Sequence, residues 1–307
     1  MINLIGNLNA DLILAHVKER PNFGEEHMVD HMMFRPGGLA NLIYPLVKLG
    51  VKPRVIATLG KDDFGEKIYQ EMLPMVEDGI TRTGTPTAIS VGVVNQAGSR
   101  YFVTYSGNLY DFTKEVVQNA RDFNKAKASF FYGYFLLPNF GFEGTLTCLK
   151  QAKANYHLTF FDSNSDIGGW SEKSRNEIIN LLPYIDYFMP NDEELLHLTG
   201  LSTIEESISL LFEKGAKSII LKQGSKGATA FINGEAVYHK GFPTEAFDTT
   251  GAGDGFNAGF MFKLLTGGSI EDSLAFGNAL ASIVVSRKEN RYPHLDEITA
   301  LLKNPFK

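Results

Sequence analysis

Cysteine is almost absent from this chain of 307 residues: Cys148 stands alone. One thiol excludes an intramolecular disulfide and a multi-cysteine metal site, and it points to a reducing compartment. An excess of positive charge is missing too. The 29 Lys and Arg against 35 Asp and Glu leave a net charge of −6, and the isoelectric point is near 5.7. Neither nucleic acid nor an anionic membrane would be drawn to such a chain over a distance, so a small-molecule partner is expected. No stretch approaches the ~20 consecutive apolar residues of a membrane-spanning helix. The opening "MINLIGNLNADLIL" has no basic region followed by a long apolar segment, and a cytoplasmic location is expected. Internal repeats, low-complexity tracts and blocks of one charge are also lacking. What is present is a hydrophobic content of 44%, enough to bury a large core as one α/β unit over residues 1–307 with an accessory part.

Short apolar runs alternate with amphipathic helical patterns along the chain. "INLIG", "RVIATLG", "SFFYGYF", "LTFFD", "YFMPN", "SIILKQG" and "ATAFI" read as strands. Helical spacing occupies about 39–49, 65–76, 142–154, 172–181, 192–199 and 204–214. Alternation of this kind predicts right-handed crossovers and a doubly wound, mostly parallel sheet. Residues 11–35 and 85–107 break the rhythm. There "TAISVGVVN" and "RYFVTYSG", joined by "QAGS", form a hairpin with no helix between them, which predicts a small antiparallel sheet acting as a lid. Ligands of parallel sheets bind beyond the carboxyl ends of the strands, where Asp11, Asp162, Asn191 and Gly224 stand.

"DTTGAGDGFNAGF", residues 248–260, is the most informative segment. Gly251 and Gly253 allow consecutive N–H groups to converge on one point, forming an anion-binding nest. Helical spacing begins at about Ala252, so the nest lies at a helix start, which favours a phosphate or a developing oxyanion. Asp254 would repel that anion unless it takes a proton from the group attacking it. A phosphoryl-transfer site has this layout; the alternative is an ordinary glycine turn with Asp254 as a helix-start acid.

The same segment resembles the C-terminal signature of the ribokinase, or PfkB, carbohydrate kinase family. "RPGGLANLIYPLVKLG" with "ATLGKDDFGE" resembles its N-terminal signature, "PNDEE" its N-x-x-E motif, and "LKQGSKGA" its nucleotide-bordering turn. The likeness covers essentially the whole chain, with the motifs in the family's order. It implies a ribokinase-like α/β fold and ATP-dependent phosphorylation of a small alcohol. Asp254 would then be the base, and the N–H groups of Gly251, Ala252 and Gly253 the anion hole. Asn191 and Glu194 would act through magnesium-bound water and the phosphates; read alone, they are equally a helix cap and a first-turn acid. Lys222, Gly224 and Gly227 would line the nucleotide site, with glycines because backbone passes close to the ligand, and Asn278 would face its adenine side. Asn9, Asp11, Gly37, Gly38 and Asn41 would form the sugar wall, where one carboxylate accepts two hydroxyl hydrogen bonds. Potassium, held by backbone carbonyls near Asp248 and Thr250 and near "VVSRKEN", is implied as an activator, and a homodimer through the lid as an assembly.

Three departures bear on the acceptor. Gly38 and Asn41 are three apart, where the family usually spaces its diglycine and asparagine by four. Leu136 and Leu137 replace a sugar-binding glutamate. In "DSNSDIGGW", Asp166 stands where a related motif carries arginine, which disfavours an anionic acceptor. A neutral sugar or sugar-like compound phosphorylated on a hydroxymethyl group is expected. A nucleoside is the alternative acceptor, and a non-catalytic sugar- or nucleotide-binding regulator the alternative class.

Overall fold

The computed structural model describes residues 1–18, 21–95, 100–288 and 291–304. Its strands are β1 (Ile2–Gly6), β2 (Leu8–Val17), β3 (His31–Gly38), β4 (Arg54–Gly60), β5 (Glu77–Thr83), β6 (Ile89–Asn95), β7 (Arg100–Tyr105), β8 (Ala128–Tyr132), β9 (Leu158–Asp162), β10 (Tyr187–Phe188), β11 (Ser218–Lys222), β12 (Gly227–Ile232) and β13 (Glu235–Lys240). The helices are α1 (Ala40–Lys48), α2 (Asp63–Met72), α3 (Lys114–Gln118), α4 (Gly141–Ala154), α5 (Glu172–Leu181), α6 (Asp192–Thr199), α7 (Ile204–Glu213), α8 (Ala252–Leu265), α9 (Ile270–Ser286) and α10 (Leu295–Lys303).

Nine strands form the main sheet in the order β13-β12-β11-β10-β9-β8-β1-β4-β5. It is parallel from β11 to β5 and antiparallel at β12 and β13. The central strands are apolar on both faces because both are covered. Leu4, Phe130, Phe160 and Ile220 enter one buried cluster, and their neighbours Ile5, Phe131, Phe161 and Ile219 enter the other. Two apolar runs are cut short as strands. In "SFFYGYF" Gly133 turns left-handed at φ 72° and ends β8 at Tyr132, and in "YFMPN" only Tyr187 and Phe188 pair.

The second sheet, in the order β3-β2-β6-β7, carries the expected hairpin. Its outer pairs, β2–β3 and β6–β7, are antiparallel, whereas β2 and β6 run parallel because the chain passes through β3, α1, β4, α2 and β5 between them. The "QAGS" turn lies outside the described residues. The register sets Asn9 opposite Gly37 and Asp11 opposite Arg35, at the end of this sheet that joins the main one.

Candidate active site

Helix α8 is apolar around most of its circumference and therefore buried, from Gly255 through Met261. It lies close to α9: a side-chain carbon on Gly259 would meet the Gly277 backbone at 3.0 Å, and one on Gly277 would meet the Phe256 ring at 2.9 Å. Packing this tight fixes the helix start. Gly251 caps it at φ 78°, a conformation open to glycine, and Asp254 sits in the first turn. The first-turn N–H groups have no carbonyl partner within the helix, although that of Ala252 donates to Thr249 O at 3.2 Å.

Asp254 is buried among groups from four other elements. Tyr132, the last residue of β8, and Asn41 of α1 hydrogen-bond to its carboxylate. Burial, and then the nearby charge of Asp162, push the Asp254 pKa up to about 6, while Lys222 and the two hydrogen bonds pull it back. Asp162, at the end of β9, receives Lys222 Nζ at 2.5 Å, Asn257 Nδ2 at 2.6 Å and the Asn164 backbone N–H at 3.0 Å. Burial opposes the Lys222 charge, but Asp162 and Glu194 overcome it and hold its pKa above the usual value. Glu194 is itself raised by burial and by Asp162. Three buried carboxyls thus share the Lys222 ammonium.

The expected cap at the start of α6 is present. Asn191 Oδ1 accepts the Glu194 N–H at 2.8 Å, and Glu194 Oε2 accepts the Asn191 N–H at 2.9 Å, leaving Oε1 a longer contact of 3.3 Å from Ser165 Oγ. Beside it opens a cavity of about 690 Å³ walled in part by Asn191, Lys222, Gly224, Gly227, Gly253 and Asn278. That size suits a nucleotide. Gly227, at a φ of 110°, is also required as glycine by the backbone of β13 and of Gly241, which a side chain would strike. Asn278 stands in the wall, but its amide donates to His239 O at 2.9 Å.

On the other side, Asn7 Nδ2 donates to Asn9 Oδ1 at 2.9 Å and Asn9 Nδ2 to Asp11 Oδ1 at 2.8 Å. A side chain on Gly37 would collide with the Asp11 carboxylate, and one on Gly38 with Asn7. The two glycines therefore make room for this polar chain. Asn41, which follows these glycines in the chain, lies instead against Asp254. Arg35 lies 3.9 Å from the Asp11 carboxylate and 4.0 Å from that of Asp248. The Asp166 carboxylate accepts from Gly168 N, Trp170 N and Ser174 Oγ at 2.7–2.9 Å, so it closes its own loop. The Asp248 and Thr250 carbonyls both accept from the Arg291 guanidinium, at 3.1 and 2.7 Å. Of the "VVSRKEN" segment, Glu289 and Asn290 lie outside the described residues.

The sequence did not single out Tyr132, Asn257, Asn7, Arg35 or Arg291. Asn257 lies inside the "DTTGAGDGFNAGF" segment, and the strand-end position of Asp162 was its signal.

A parallel-sheet α/β fold with a glycine-capped helix start, a proton-poised aspartate and an adjoining nucleotide-sized cavity defines a small-molecule kinase. The model of the pfkB family of carbohydrate kinases matches residues 1–297, and the chain belongs to that family. It is 27% identical over 264 residues to a 5-dehydro-2-deoxygluconokinase of Clostridium perfringens, covering 81% of this chain and 78% of the relative. The ribokinase structure from Thermotoga maritima is 28% identical and superposes with a TM-score of 0.86, covering 99% of both chains. The Arabidopsis thaliana ribokinase complexed with ribose and ATP is 25% identical with a TM-score of 0.81, covering 98% of both chains. The protein is a carbohydrate kinase, and none of its described helices is long and apolar enough to cross a membrane.

Proposed function

We propose that the chain transfers the γ-phosphoryl group of ATP to a hydroxymethyl group of a neutral sugar or sugar-like compound. The observation that carries this reading is Asp254 itself: a buried carboxyl raised to about 6, one residue along the helix from Gly253 in the wall of the 690 Å³ cavity. ATP fits that cavity, and the ribokinase complexed with ribose and ATP supports the assignment. Asp254 takes the hydroxyl proton as the oxygen–phosphorus bond forms and the bond from the γ-phosphorus to ADP breaks. Backbone N–H groups of Gly251, Ala252 and Gly253 stabilise the charge on the transferred group.

Magnesium fits the donor set. Asp162, Glu194 and Asp254 crowd three carboxyls around Lys222, yet the described residues offer no cluster that would hold a metal by side chains alone. Binding through water and phosphates, with Glu194 as the water-linked carboxylate, matches how magnesium keeps its hydration shell. It would supply neutralisation of the phosphate charge.

Arg35 does not make the acceptor side anion-selective, because it lies between the Asp11 and Asp248 carboxylates. The test is ADP release across neutral sugars, sugar acids and nucleosides. The highest kcat/KM is expected on a neutral sugar. A preference for a sugar acid or a nucleoside would overturn the acceptor assignment, and sugar binding without turnover on any compound would make the protein a regulator.

A further inference from the structure

Arg291 has no part in the chemistry described above, yet it is tied to the loop that builds the anion hole. Its Nε donates to Val284 O at 3.1 Å, Nη1 to Asp248 Oδ2 at 3.1 Å, and Nη2 to the carbonyls of Asp248 at 3.1 Å and Thr250 at 2.7 Å. Val284 belongs to the last turn of α9, where the helix dipole favours a cation. Phe247 and Asp248 also donate their N–H groups to Val285 O in that turn, at 2.8 and 3.1 Å. Thr250 immediately precedes Gly251, the left-handed cap of α8. Holding the Thr250 carbonyl therefore fixes the peptide from which the anion hole begins.

The family resemblance assigns the carbonyls of Asp248 and Thr250 to potassium. They do not fit that ion here, because a guanidinium already lies against both and would repel a second cation. We infer that Arg291 is a resident cation that takes the place of potassium, so that phosphoryl transfer by this chain needs no monovalent ion. The inference rests on the kinase reading above, with Arg291 as a positioning residue acting through the turn at Thr250 and Gly251.

Turnover is measured in potassium chloride and in choline chloride at equal ionic strength. The wild-type rate should be the same in both. Arg291→Ala should lose about tenfold or more of kcat in choline chloride, the scale of a displaced catalytic group, and recover in potassium chloride. Arg291→Lys, which keeps a positive charge, should retain more activity in choline chloride than Arg291→Ala. A wild-type rate several times higher in potassium would overturn the inference, as would an alanine variant running at the wild-type rate without potassium. Should Arg291→Ala fail to fold, Arg291→Lys decides: activity in choline chloride supports a resident cation, and its loss there overturns it. If the wild-type chain phosphorylates nothing, the kinase reading has failed instead, and melting temperature then carries the cation test. Potassium should leave the wild-type midpoint unmoved and raise that of Arg291→Ala; a wild-type midpoint raised by potassium would overturn the inference.

Discussion

Asp254 holds its charge where water cannot stabilise it, and two consequences follow that a helix-start acid would not show. With a pKa near 6, it is protonated and unable to accept a proton in mildly acidic solution. Turnover should therefore climb as pH rises through about 6 and level off above 7. The second consequence concerns stability. The folded carboxyl binds its proton more tightly than the unfolded one, whose value is 3.8. Stability is lost as pH rises through the window between those values, at a cost of order 2–3 kcal/mol once the group is ionised. Asp254→Asn should thus lower kcat by about a hundredfold at neutral pH while raising the melting temperature there, and the gain should shrink as pH falls toward 4. Melting curves and rates on the same samples check this. A variant that melts lower at neutral pH would mark Asp254 as a stabilising helix-start acid. Asp254 was legible in the sequence because its glycines are its neighbours in the chain. Tyr132 and the Lys222–Asp162 pair were not, since three separate strands bring them together.

At the scale of elements, the site depends on how closely α8 and α9 approach. Gly277 opposes Phe256 and Gly259 opposes the Gly277 backbone, so a branched side chain at either glycine must push the helices apart. Gly277→Val should cost about 1–3 kcal/mol as overpacking, and kcat should fall further than partial unfolding explains because Asp254 rides on the displaced helix. Gly84→Ala is the control: its added carbon meets open space, and both melting temperature and rate should stay near wild type. A Gly277→Val enzyme with unchanged kcat would show that the interface does not position Asp254. Most helices were readable from their apolar spacing, and the caps at Asn191 and Gly251 are local, but α3 and α10 were not read. Strands β5 and β13 were not read, because "EDGITRT" and "EAVYHK" are edge strands interrupted by charges with no continuous apolar run.

For the whole molecule, the residues of the proposed site are divided between two sheets. Asp11, Asn9 and Gly37 belong to the four-stranded sheet, whereas Asp254, Asp162 and Lys222 belong to the nine-stranded sheet and its helices. Productive alignment of an acceptor with Asp254 therefore depends on how the small sheet sits over the main one. Arg35 already reaches from β3 to Asp248 across that division. The presence of two sheets was legible from the helix-free hairpin at 85–107, but their relation was not, because the parallel β2–β6 pairing joins segments about eighty residues apart. Closure of the small sheet would exclude water and so protect ATP from hydrolysis. Hydrogen exchange tests this directly. Amides of β2, β3 and β6 should exchange more slowly when the preferred sugar and a non-hydrolysable ATP analogue are bound together than with either alone. Joint binding is the critical condition, since nucleotide alone is expected to fill the cavity around Lys222 and Asn278. Protection confined to that cavity, with the small sheet exchanging as in the free protein, would show a fixed wall that does not close.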